Sequence, residues 1–156
     1  MAHPSDRAAA DAPAVRAMLD RAETRLRLAG ADAEARLRSD GADASAALTR
    51  SHTSDFRTVG WYGSSPPGWE LAIDAELTDA AVPPALAARY GRDSFWARWT
   101  RAESLSKLFR VPIVLWLRRH GLRVPPHVPA VWCTLTIADL TVSVACVPAT
   151  TGGGAG

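Results

Sequence analysis

Apolar residues at Val15, Met18, Leu19, Ala22, Leu26 and Ala29 recur at helical spacing among arginines and acids, which predicts an amphipathic helix from Ala14 to near Gly30. Residues 1–13 show no such periodicity and read as a frayed, disordered terminus. A weaker segment, 31–38, has a narrow alanine face and stops at Ser39-Asp40-Gly41, so residues 14–49 are expected to form a helical N-terminal segment. The period then changes. Phe56 to Tyr62 is a short run of strand formers ending in the turn Gly63-Ser64-Ser65-Pro66-Pro67-Gly68. In WELAIDAEL, Trp69 to Leu77, apolar residues at odd positions alternate with Glu70, Ala72, Asp74 and Glu76, the pattern of a half-buried strand.

Pro83-Pro84 opens a short helix that Gly91 closes after Tyr90. Asp93 or Ser94 can cap the next helix, FWARWTRAESLSKLFR, whose expected buried stripe is Phe95, Trp99, Ala102, Leu105, Ser106 and Phe109 and which Pro112 keeps from continuing. A short apolar segment, a basic stop at Arg118-Arg119-His120-Gly121 and a proline-rich loop lead to a hairpin. Its strands are Val131 to Ile137 and Leu140 to Val147, joined near Ala138-Asp139. The tail, 149–156, reads as disordered, and no internal repeat shows at any useful period. These elements make an α+β fold with a helix packed on a small antiparallel sheet.

Composition narrows the function classes. At 156 residues the chain suits one core, burying roughly two-thirds of the unfolded surface. A net charge of +2, with arginines and acids interleaved, offers no single-sign field for nucleic acid or an anionic membrane. The run from Val111 to Leu117 is far shorter than the roughly 20 residues of a membrane-spanning helix. Cys133 and Cys146 lack metal or redox spacing and no secretory leader precedes them, so they are expected to be reduced core residues of a cytoplasmic protein.

Every basic residue except Lys107 and the histidines is arginine. Trp99, Glu103 and Lys107 lie four residues apart on one side of the long helix, and Glu103 and Lys107 flank its apolar stripe. One reading is an exposed salt bridge between them, worth roughly 0.3–0.5 kcal/mol. Asp74 and Glu76 share a strand face and repel unless a cation lies near; the alternative is a solvated face. If the helix packs against that face, Glu103 becomes a third oxygen ligand. Three carboxylates without histidine or thiol suit a hard divalent cation, Mg²⁺ before Zn²⁺, and Lys107 would lie near phosphates on that ion.

The segments Ala72-Ile73-Asp74-Ala75-Glu76 and Trp99-Thr100-Arg101-Ala102-Glu103-Ser104-Leu105-Ser106-Lys107 resemble the paired signatures of the 4'-phosphopantetheinyl transferase superfamily, G-[IV]-D-x-E and W-x-x-K-E-[AS]-x-x-K. Arg50-Ser51-His52-Thr53 resembles the Ser-His-Ser/Thr segment that precedes them in the surfactin-synthetase type, and the closing hairpin is similar too. The resemblance covers roughly Arg50 to Val147 and implies a transferase-like domain over 50–148. It further implies Mg²⁺-dependent transfer of phosphopantetheine from coenzyme A, the substrate, to a serine of an acyl or peptidyl carrier protein. On matching positions Asp74, Glu76 and Glu103 would hold Mg²⁺, Glu103 would assist deprotonation of the serine, and Lys107 would neutralise charge on the phosphate. Ser51 and His52 would contact the ribose 3'-phosphate. Ala102 stands where the family has lysine, and Ala72 where it has glycine. Family members of this type are two similar halves with the site between them, whereas residues 14–49 read as helix, so a homo-oligomer is the expected way to rebuild the cleft. The alternatives are a non-catalytic relative that binds a carrier protein or coenzyme A, and a small interaction module.

Overall fold

The structure, a computed structural model, describes residues 4–30 and 47–150. Helix α1 spans Pro4–Leu19. A 3-10 turn over Ala22–Thr24 leads into β1, Leu26–Ala29. Then follow β2 (Ala47–His52), β3 (Thr58–Tyr62), β4 (Trp69–Leu77), α2 (Pro84–Tyr90), α3 (Phe95–Leu108), α4 (Ile113–His120), β5 (Val131–Ile137) and β6 (Leu140–Pro148). The chain is α+β, with four helices and two three-stranded antiparallel sheets among the described residues.

The N-terminal third differs most from the sequence pattern. Helix α1 begins at Pro4, where a frayed terminus was expected; the run Ala8-Ala9-Ala10 supplies helix propensity without an apolar stripe. It stops at Leu19 instead of continuing to Gly30, and residues 26–29 are a strand. Val15, Leu19, Ala22 and Leu26 are all buried in one core, so the periodicity marked the right residues. The backbone changes because Leu26 pairs opposite Trp61 across the β1–β3 ladder, and a turn can bring Ala22 and Leu26 to the same core that a helix would reach. Val15, Leu19, Ala22 and Leu26 of the expected N-terminal segment 14–49 share their core with Val59, Trp61, Ile73, Val142 and Val144 of the rest of the chain. The weak segment 31–38 and most of the tail, 151–156, lie outside the described residues.

Strand order is β1-β3-β2 in the first sheet and β4-β6-β5 in the second. Each sheet is therefore built the same way, with its third strand in the middle, antiparallel to both neighbours. In the second sheet the excursion between the edge strands carries α2, α3 and α4; in the first it includes residues 31–46. This repetition of topology leaves no repeat in the sequence, because the two sets of strands differ in length and in what covers them.

The second sheet is covered on both faces. Leu71, Ile73 and Ala75 of β4, with Val142 and Val144 of β6, point into the core shared with α1 and the first sheet. The opposite face carries Asp74, Ser143, Ala145 and Val147, and α3 lies on it. Small hydroxyl side chains let the helix approach. Thr100 and Ser104 on α3 and Ser143 on β6 are all fully buried. Thr100 Oγ1 and Ser143 Oγ are 2.7 Å apart, Ser143 Oγ and Thr134 Oγ1 2.8 Å, and Ser104 Oγ donates to the Ser143 carbonyl at 3.2 Å. Each such bond contributes about 1 kcal/mol net, and an unpaired hydroxyl there would cost more. The helix stripe consequently runs through Thr100 and Ser104, while Trp99 is only half-buried and Phe109 is exposed. Ser94 occupies the cap position without a side-chain cap bond; Arg98 instead donates to the carbonyls of Tyr90 and Asp93.

The turn between α3 and α4 is tight. Arg110 adopts a left-handed φ of 53°, which costs a non-glycine residue about 1 kcal/mol or more. Its amide donates to the Lys107 carbonyl, and that of Val111 to Ser106. Cys133 and Cys146 are free thiols on neighbouring strands, Cys146 fully buried.

Leu105 is fully buried between α3 and the sheet, so Leu105→Ala is expected to lower unfolding free energy by about 2–5 kcal/mol. Val114, 58% exposed on α4, is expected to tolerate alanine within about 0.5 kcal/mol. Urea unfolding of the two variants checks both the packing and the orientation of α4.

Candidate functional site

Asp74 sits mid-way along β4 opposite Ser143, with α3 above it, and is 3% exposed. A carboxylate at that depth is poorly solvated and needs donors. Two arrive at the same oxygen. Ser51 of β2 donates its hydroxyl to Asp74 Oδ1 at 3.0 Å, and the Lys107 ammonium donates to Oδ1 at 2.8 Å and to the Ile73 carbonyl at 3.0 Å. Oδ2 is buried and has no hydrogen-bond partner.

Glu76, two residues along on the same face, and Glu103 on α3 complete the group. One oxygen from each of Asp74, Glu76 and Glu103 lies within 4.8 Å of the others. An ion holding oxygens at roughly 2.1 Å in an octahedron sets neighbouring ones about 3 Å apart, so side-chain movements on the order of 1 Å would close the set. The donor set is all oxygen, and three carboxylates face one ammonium. That excess of negative charge, with Asp74 Oδ2 unpartnered, fits a small divalent cation.

The first sheet contributes through Ser51. The sequence reading made it a ligand contact, but it is 4% exposed, and its hydroxyl both donates to Asp74 and accepts the Ala75 amide at 3.1 Å. Ser51 fixes Asp74. His52, next along β2, is exposed. A second clamp lies between the hairpins: Arg57, beside β3, bonds Asp139 of the β5–β6 turn through both guanidinium NH groups at 2.6 and 2.8 Å, and Asp55 through Nε at 2.7 Å. Thr53 also donates to Asp55.

Lys107 does not pair with Glu103 as the four-residue spacing suggested; it crosses to the sheet and pairs with Asp74. Arg101 leaves the site, its guanidinium 4.5 Å over the Trp132 ring on the far edge strand β5. Ala102 is 1% exposed in the α3 core. Ser51, Thr100, Ser104 and Ser143, which position the carboxylates, went unmarked for that role; their sequence signal is a hydroxyl at each position where a helix or strand must approach closely.

Burial holds both strand carboxyls above the ordinary range. For Asp74 desolvation is the main cause and Glu103 adds to it, against the pull of Lys107. For Glu76 desolvation leads, followed by the charges of Asp74 and Glu103, and the carboxyl is pushed up to about 7.

Comparison of the chain with protein-family models, curated proteins and solved structures found no match.

Two outcomes follow from this geometry. Lys107→Ala removes the partner of a carboxylate that is 4% exposed, while the lysine is itself 35% exposed. The loss should fall between a surface and a buried pair, roughly 2 kcal/mol, with Lys107→Arg costing less, as urea unfolding would measure. The second concerns pH in chelator. A carboxyl whose folded pKa lies above its unfolded value makes the folded state bind protons more tightly, so its contribution is full below the unfolded value and is lost as pH rises through the folded one. Melting temperature should therefore fall between about pH 4.5 and 7.5 on account of Glu76 and Asp74. Asp55 and Asp139, held low by Thr53 and Arg57, act in the opposite sense only in more acidic solution. A melting temperature that is flat over that window, or equally steep in Glu76→Gln, would contradict the assignment.

Proposed function

We propose that the chain transfers the 4'-phosphopantetheine group of coenzyme A to a serine of an acyl or peptidyl carrier protein, with Mg²⁺ held by Asp74, Glu76 and Glu103. The observation that carries this reading is the meeting of those three carboxylates, one oxygen of each within 4.8 Å, beside Lys107. The repeated strand order of the two sheets, with Ser51 of the first sheet reaching Asp74 of the second, supports it as well, because it answers the two-halved pattern that the motifs imply.

Bound Mg²⁺ supplies charge neutralisation at the pyrophosphate of coenzyme A. The chain's own groups do the rest. Glu103, half-buried at the edge of α3, accepts the proton of the carrier serine. The serine oxygen forms a bond to the phosphorus that carries the pantetheine arm, the bond from that phosphorus to the bridging oxygen breaks, and the electron pair leaves with adenosine 3',5'-bisphosphate. Lys107 donates two of its three N–H groups to Asp74 and Ile73, leaving the third for a phosphate oxygen as charge develops there. Ser51 keeps Asp74 in place, and His52, matched to the ribose 3'-phosphate contact by the resemblance alone, would bind that group.

A second reading, a relative that binds without catalysing, is favoured by where the other residues of α3 turn: Ala102 is in the core, Arg101 stacks on Trp132 and Arg98 bonds the Tyr90 and Asp93 carbonyls, so Lys107 is the cation that α3 brings to the carboxylates. The two separate in one assay. Purified protein is incubated with coenzyme A, Mg²⁺ and apo carrier proteins, and the carrier mass is measured. Addition of the phosphopantetheine arm is expected, with Glu76→Gln and Glu103→Gln slowing it a hundredfold or more. A protein whose melting temperature rises with Mg²⁺ but which modifies no carrier would be the binding relative, and the transferase reading would fall.

A further inference from the structure

The two sheets end in four edge strands, β1 and β2 in the first and β4 and β5 in the second. Strands β2 and β4 lie alongside each other at the seam. Strand β1 is four residues long and carries Arg27. Short length and charge are two of the ways in which an edge is kept from pairing with another chain. Strand β5 has neither. Its seven residues, VWCTLTI, include no charge, proline or glycine, and its register with β6 runs from Val131 to Ile137 without a bulge. Among the described residues, hydrogen bonds to the β5 backbone come from β6 alone, so the N–H and C=O groups along its outer side are unpaired. Trp132 keeps 36% of its surface exposed even with the Arg101 guanidinium over its ring.

The order of residues on this strand is complementary to itself. Val131, Cys133, Leu135 and Ile137 belong to the face that packs on the main core, and Trp132, Thr134 and Thr136 alternate with them on the α3 face. Turned antiparallel about Thr134, the strand meets its own copy with Val131 opposite Ile137 and Cys133 opposite Leu135 on the first face. On the other face Trp132 meets Thr136, and Thr134 meets Thr134. Apolar pairs, an aromatic opposite a β-branched residue and threonine opposite threonine are the pairs that stabilise antiparallel ladders, and no charge is set against another.

We propose that β5 pairs with β5 of a second copy of this chain, antiparallel about a two-fold axis at Thr134, joining two three-stranded sheets into one of six strands. An axis normal to the sheet keeps the core face of each copy on the same side, and it uses both free edges, so assembly closes at the dimer. An extended peptide from another protein could satisfy the backbone groups, but β5 offers it no charge to recognise, whereas a second copy brings apolar residues in the matching order. The shared strand is about 23 Å long, a small interface, which suits a dimer that forms and parts at micromolar concentration. The pairing is independent of the transferase reading. Strand β5 is the edge opposite β4, so the carboxylate groups of the two copies lie at the far edges of the joined sheet and neither copy completes the site of the other.

Sedimentation of the full chain from about 1 to 100 µM is expected to show a monomer–dimer equilibrium with a micromolar dissociation constant. Thr136→Glu, at an exposed position opposite Trp132 of the other copy, should weaken the dimer by about tenfold or more and leave the melting temperature of dilute protein unchanged. Thr134→Lys and Thr134→Glu each set like charges opposite one another at the axis and should be monomers, while an equimolar mixture of the two should regain the dimer. Because Thr134 Oγ1 also lies 2.8 Å from Ser143 Oγ, that regain shows in addition that both variants fold; where they do not, Thr136→Glu decides the matter. A strict monomer at the highest concentration, association that continues past the dimer, or a dimer that Thr136→Glu leaves intact would overturn the pairing. Folded Thr134 variants that stay monomeric when mixed would overturn the register.

Discussion

The carboxylate of Asp74 is the constraint around which the molecule is arranged. It lies mid-strand, 3% exposed, under a helix, where an unpartnered charge is among the costliest groups a fold can contain. Its two donors come from opposite sides: the Ser51 hydroxyl from the edge of the first sheet and the Lys107 ammonium from α3. The Ser51 oxygen also accepts the Ala75 amide, so one side chain replaces a ladder bond that β2 and β4 do not make. Satisfying one buried oxygen therefore fixes the relative placement of three elements. The second oxygen is left without a protein partner, where a cation, a proton, a water or a ligand group would relieve it.

That arrangement depends on how closely α3 can approach β6. Bulky aliphatic side chains at Thr100, Ser104 and Ser143 would lift the helix, and Lys107 would then no longer reach the Ile73 carbonyl and Asp74. Hydroxyls solve two problems together, being small and able to satisfy one another when buried. The cost is a core face held by directional contacts, less tolerant of repacking than the aliphatic face of Ile73, Val142 and Val144 on the other side of the same strands.

Much of the second sheet and α3 was legible in the sequence because each has an undisturbed period. Strand β4 alternates over its full length, the β5–β6 hairpin falls between the expected residues, and α2 lies between its proline and glycine punctuation. The juxtaposition of Asp74, Glu76 and Glu103 could be anticipated from period two on the strand and the edge position on the helix. The partner of Lys107 could not. Its four-residue neighbour Glu103 is the local answer, whereas Asp74 lies 33 positions away and is chosen by the depth of helix packing. The N-terminal strand failed for a related reason: Ala22 and Leu26 satisfy a helical period and a turn followed by a strand equally well, and only the ladder to β3 decides.

The two sheets share an order of strands but not a size, and the inequality explains where the site lies. Strand β4 has nine residues and β2 six, and β2 lies alongside β4 without pairing with it. At such a seam backbone groups and side chains from both sheets must find partners outside their own ladders. Polar residues can be placed there without interrupting either sheet, and they are: Ser51 from one side, Asp74 and Glu76 from the other. Helices α2, α3 and α4 lie between the edge strands of the larger sheet, and α3 brings a third carboxylate and an ammonium to its side of the seam. The chemistry collects on a face where the seam and α3 meet.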